Sequence, residues 1–182
     1  MTSKNPTESF VYITLPGART AITAGKFVLE QTPTGDPIGR FVYGRSYLAH
    51  PDAQLRLSAL RVISKYADEG AFEVLSSATK DNQADIRKEA LNILCHIYGQ
   101  RAFPVLIHLL HDLDDDVRKA AISLCSAFEA RQAVPVLITM LADDNAMIVQ
   151  DVKAALLKIT KETTDKTAEE WNLWWMDQYG KS

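Results

Sequence analysis

From residue 50 onward the chain repeats itself every 31 residues without a gap. Leu55, Ile86, Val117 and Ile148 fall in register, and so do Arg56, Arg87 and Arg118. Ala59, Ala90 and Ala121 align, as do Ala71, Ala102 and Ala133, then Val74, Val105 and Val136, then Leu75, Leu106 and Leu137. Residues 81–111 and 112–142 share 11 identities in 31 positions. A period of this length marks a solenoid, in which no unit can bury its apolar face alone and neighbours must stack.

Each unit has room for two helices and two tight turns. In residues 112–142, Asp114, Asp115 and Asp116 supply N-cap oxygens and negative charge at a helix start. Val117, Ala120, Ala121, Leu124 and Phe128 then recur at steps of three and four, one face of a helix. Pro135 suits the first turn of a second helix, where a missing N–H costs nothing. Val136, Leu137, Met140 and Leu141 are its expected buried stripe. Ala90 and Ala121, mid-way along the first helices, let the paired helix approach closely. The expectation is a mainly α protein, a right-handed α-solenoid of helical hairpins with units near 50–80, 81–111, 112–142 and 143–173. Thr167 and Glu170 fit a capping box opening a final helix. That helix carries Trp171, Trp174 and Trp175, of which Trp171 or Trp174 should plug the end of the stack and Trp175 should be the most exposed.

Residues 1–49 read differently, as a small β-rich segment. Phe10–Leu15, Thr20–Thr23, Lys26–Gln31 and Arg40–Tyr43 are short strand candidates separated by Pro and Gly turns. Five Lys/Arg against three Asp/Glu make this head mildly basic, while the remaining residues hold 15 basic and 20 acidic side chains. The boundary is expected where His50-Pro51-Asp52 interrupts the chain.

The repeated residues resemble HEAT repeats of the short, bilin-lyase-like type. Their pattern is a Pro, an Asp eight residues later, an aliphatic five further on, then an Arg. Pro104, Asp112, Val117 and Arg118 match it in full. Asp81, Ile86 and Arg87 match without the Pro, which is Glu73 here. Pro135, Asp143 and Ile148 match, but Val149 replaces the Arg. The resemblance implies an inter-repeat hydrogen-bond ladder through Asp81, Arg87, Asp112 and Arg118, ending at Val149. The head is similar to the opening subdomain of HipA-type toxin kinases, through Phe10–Gly17, Ala24-Gly25 and Gly39–Ala49. No kinase core accompanies it, so the resemblance implies no phosphoryl-transfer residues; Tyr43, Arg45 and Tyr47 would be its contact candidates.

Chemistry is scarce. Neither a phosphate-binding glycine loop nor Gly-x-Ser-x-Gly occurs. His108 and His111 are three apart on a second helix and, with a carboxylate, could hold a metal. Their equivalents are Thr139 and Ala142 in the next unit and Ser77 and Lys80 in the previous one, the variation of solvated positions, so no metal is expected. Cys95 and Cys125 read as buried small hydrophobes. Two cysteines make no disulfide framework, the start lacks an apolar signal core, and no stretch approaches the ~20 apolar residues of a membrane span, so a cytoplasmic protein is expected. A net charge of −3 and few cations on the second helices argue against nucleic acid.

The expected function is therefore non-catalytic binding of another protein along the second helices, with no cofactor. The candidate contacts are Ser77, Lys80, Ile107, His108, His111, Ile138, Thr139 and Trp175, with Ile107 and Ile138 as apolar anchors. The sequence leaves two alternatives open: a toxin–antitoxin regulator acting through the head, and an accessory subunit of a bilin lyase-type enzyme.

Overall fold

A computed structural model describes residues 11–15, 18–23, 26–28, 47–65 and 71–180. The chain divides into two compact units, residues 1–71 and 72–182.

In the first unit, β1 (Val11–Leu15), β2 (Ala18–Thr23) and β3 (Lys26–Val28) form an antiparallel meander in that order. Val11 pairs with Ile22 and Leu15 with Ala18; Ala21 pairs with Val28. The strand expected at 40–43 lies outside the described residues. Helix α1 (Ala53–Lys65) buries Ala59, Leu60 and Ile63. Tyr47 packs with Ala59, Leu48 and Leu55. The His50 Nδ1 accepts the Asp52 N–H at 3.0 Å, and Arg56 Nη1 donates to the His50 carbonyl at 2.7 Å.

The second unit is a stack of helical hairpins. The first helices are α3 (Ala84–Tyr98), α5 (Asp115–Ala127) and α7 (Ala146–Thr160); the second helices are α2 (Ala71–Ala78), α4 (Phe103–Leu109), α6 (Val134–Thr139) and α8 (Ala168–Tyr179). Helix starts at residues 53, 84, 115 and 146 keep the 31-residue period. Helix α5 packs on both α3 and α7, and α6 packs on α7 and α8. Ala90 and Ala121 are fully buried at the stacking faces, where a small side chain admits close approach. Ile86, Leu91, Leu94, Val117, Ile122, Ile148, Val152 and Leu156 complete this core. Two short 3-10 turns, Gly99–Ala102 and Arg131–Ala133, lead into α4 and α6, whose prolines sit in the first turn.

The starts of α5 and α8 are set by side chains. The Asp114 carboxylate accepts from the backbone N–H groups of Asp116 and Val117. Thr167 and Glu170 form a reciprocal capping box on α8. Trp171 is fully buried, with Trp174 edge-on at 5.5 Å and the Lys166 ammonium 4.6 Å from its ring centre. Two sequence expectations need correction. Helix α6 buries Val134, Leu137 and Ile138, so its stripe starts two residues before the predicted one, and Val136 and Leu141 are only half-buried. Trp175 is half-buried rather than exposed, because Tyr179 stacks on it at 4.3 Å. Among the described residues no helix is long and apolar enough to cross a membrane.

Candidate functional site

The framework of the second unit is an arginine–aspartate ladder. The Arg87 guanidinium grips Asp112 of the next repeat with two hydrogen bonds, Nε to Oδ2 at 2.8 Å and Nη2 to Oδ1 at 2.6 Å. Its Nη1 donates to the Asp81 carbonyl at 2.9 Å, six residues back in its own repeat. Arg118 repeats that inner contact, with Nη1 on the Asp112 carbonyl at 2.9 Å. One guanidinium thus closes its own loop and holds the next one. The Arg118 Nε lies 3.4 Å from Asp143, an ion pair without a hydrogen bond. Asp143 was not assigned to the ladder by resemblance, yet it takes the last rung. Burial raises the affinity of Asp112 for a proton, but the Arg87 hydrogen bonds, the Asp114 N–H and the Arg87 and Arg118 charges outweigh it. Its carboxyl therefore titrates below the usual range.

Two concavities lie in the same unit. A groove of about 480 Å³ runs between α2 and α4 and is lined by Glu73, Ser76, Ser77, Thr79, Lys80, Pro104, Val105 and His108. It exists because α2 carries serine where the later repeats carry isoleucine: Ser76 is the counterpart of Ile107 and Ile138. The Ser76 Oγ is buried and has no hydrogen-bond partner. Thr79 donates its hydroxyl to the Ser76 carbonyl at 2.7 Å and is satisfied. A second hollow of about 620 Å³ lies against the ladder, with His111, Thr139, Asp143, Asp144 and Asn145 in its wall.

The predicted contact residues are therefore divided. Ser77, Lys80 and His108 share the first groove, and His111 and Thr139 share the second hollow. The Thr139 hydroxyl is already bound to the Val136 carbonyl at 2.7 Å. Ile138 is 1% exposed and belongs to the core, so it offers no anchor to a partner. Ile107 is half-buried and lines neither hollow. Tyr47, expected as a head contact, is 6% exposed and equally unavailable. Tyr43 and Arg45 lie outside the described residues. Glu73, Ser76, Pro104 and Val105 were not among the contacts expected from sequence; the Ser-for-Ile exchange at residue 76 was the signal that could have found the groove.

His108 and His111 line different hollows, and among the described residues no three His, Cys, Asp or Glu side chains gather as a metal-binding group. Cys95 and Cys125 are buried free thiols, pushed up to about 11 and about 12 by burial, and are poor nucleophiles.

No curated protein matches the chain. Residues 45–125 match the family described as HEAT repeats, and with the repeat and its ladder this match supports a HEAT-repeat protein built as an α-helical solenoid.

Proposed function

We propose that this protein is a non-catalytic scaffold that binds a protein partner along its second helices, with the α2–α4 groove as the contact. The observation that carries the reading is the groove itself, which brings Ser77, Lys80 and His108 together. HEAT repeats commonly serve protein interaction, and buried thiols fit a binding role better than nucleophilic catalysis. The Pro104, Asp112, Val117 and Arg118 pattern, with its rung geometry, supports the short bilin-lyase-like type of repeat. The toxin–antitoxin and lyase-accessory readings rest on sequence resemblance alone, and no structural observation favours either. Unpaired buried cysteines also suit a reducing, cytoplasmic setting.

The test is site-directed photo-cross-linking in the native host. A benzoylphenylalanine at residue 77, in the groove, should capture a protein partner, whereas one at residue 123, exposed on α5, should not. Capture only from residue 123 would place the contact on the first helices and refute this reading.

A further inference from the structure

We propose that the α2–α4 groove takes an acidic segment of its partner, with a side-chain carboxylate seated between Lys80 and His108. The proposal rests on the reading that this groove binds a protein and adds the chemistry of what it binds.

Three observations point to an acid. First, Lys80 and His108 are both exposed, and among the described residues neither side chain has a hydrogen bond or ion pair. Four other lysines of the same unit are taken, Lys88 by Asp85, Lys153 by Asp165, Lys161 by Glu129 and Lys166 by Glu162, while Lys119 and Lys158, which lie outside the groove, are not taken among the described residues. Second, the groove is polarised along its length. Glu73 lies in the first turn of α2 and Lys80 just beyond its last turn, about 10 Å away at a helical rise of ~1.5 Å per residue. An acidic side chain is repelled at the Glu73 end and attracted at the Lys80 end, which fixes the direction of the bound segment. Third, the hydroxyls suit an oxygen-rich ligand: Ser76 Oγ is unpaired and Ser77 is exposed beside it.

The counter-effect is the pair of helix C-termini near Lys80 and His108, whose carbonyls disfavour an anion. That effect is weaker than a charge-assisted hydrogen bond, so Lys80 and His108 together must carry the recognition. A single ammonium matches one or two carboxylates rather than a polyphosphate chain. Val105 and Pro104 give the flanking residues of the segment an apolar wall.

The experiment uses the full chain and three rhodamine-labelled, amidated octapeptides that differ at two adjacent positions: Glu-Asp, Gln-Asn or Lys-Lys. Fluorescence anisotropy gives the affinities, and amide chemical shifts locate the site. The Glu-Asp peptide should bind at least tenfold more tightly than the Gln-Asn peptide and shift the amides of Ser77, Lys80 and His108. The Lys80→Ala, His108→Ala double variant, with unchanged circular dichroism, should lose that tenfold preference. Equal or tighter binding of the Gln-Asn or Lys-Lys peptide at these amides overturns the acidic partner while leaving the groove as a protein site. Shifts confined to other helices, or no binding of the Glu-Asp peptide, overturn the proposal; the cross-link from residue 77 then decides separately whether the groove binds protein at all.

Discussion

Arg87 and Asp112 meet through two parallel hydrogen bonds of 2.8 and 2.6 Å, whereas Arg118 reaches Asp143 only at 3.4 Å. The two rungs come from equivalent sequence positions, so a third residue must separate them. That residue is Asp115, which takes the Arg118 Nη2 at 2.6 Å. Its counterpart in the previous repeat is Ala84, which offers Arg87 nothing. Asp115 is itself an N-terminal helix acid, and Asn145 of the following repeat also donates to it.

Removing Asp115 should let Arg118 close on Asp143. In a double-mutant cycle, the Arg118–Asp143 coupling should rise from under ~1 kcal/mol to about 1.5–3 kcal/mol in the Asp115→Ala background. Denaturant unfolding measures it, and an unchanged coupling would show that Asp115 does not compete for Arg118.

The two rungs should also differ in their own right. Asp112→Asn leaves a part-buried guanidinium without its carboxylate and should cost about 2–3 kcal/mol. Asp143→Asn should cost less than about 1 kcal/mol, because its bond is long. Both aspartates also accept a backbone N–H two residues on, which asparagine preserves, so the comparison isolates the rung. Equal losses in urea midpoint would contradict the assigned geometry.

The lowered Asp112 carboxyl makes part of the stability depend on acid. In the unfolded chain this group binds its proton at a higher pH than in the folded one. The rung therefore contributes fully above the ordinary carboxylate range and is lost as pH falls through the depressed folded value. Between about pH 5 and pH 2, Asp112→Asn should flatten the decline in urea midpoint relative to the natural chain. Parallel declines would exclude Asp112 as a source of acid sensitivity.

Packing gives a fourth test. Ala121 is completely buried in α5, and Ala121→Leu should overpack it at a cost of ~1–3 kcal/mol. An unaltered melting temperature would mean that the helices part without penalty there.

The terminal tryptophans should separate by burial. Trp171→Ala removes a fully enclosed ring and should cost about 3–5 kcal/mol. Trp175→Ala should cost about 1–2 kcal/mol, since Trp175 is half-buried and loses chiefly its Tyr179 and Trp174 contacts. Similar losses in the two variants would contradict Trp171 as the plug.

What was legible in the sequence was whatever the 31-residue period carries. The period fixed the spacing of the first helices, and the local chemistry of Asp114 located the start of α5 and that of Thr167 and Glu170 the start of α8. Phase was harder to read. The 3-10 turn at Arg131–Ala133 starts α6 at Val134, and this turns Ile138 inward and Val136 partly outward. Nothing in the apolar spacing distinguishes that phase from the neighbouring one. The contact set failed for a related reason. Equivalence between Ser77, His108 and Thr139 identifies matching places on successive helices, but a hollow forms between helices and draws residues from two repeats. His108 lies in α4, but His111 falls in the turn beyond Leu109 rather than on the same helix as expected, and the two line different hollows. The ladder was readable in its donors. Its unequal rungs depend on the local exchange of Ala84 for Asp115, which a repeat average hides.

The proposed binding places a protein partner along α2 and α4. Amide hydrogen exchange of the full chain, with and without the partner recovered by the residue-77 cross-link, tests it most directly. Slowed exchange across residues 73–80 and 104–108, with α3 and α5 unchanged, is the predicted result. Protection confined to α8, or to the outer faces of α3 and α5, would contradict it.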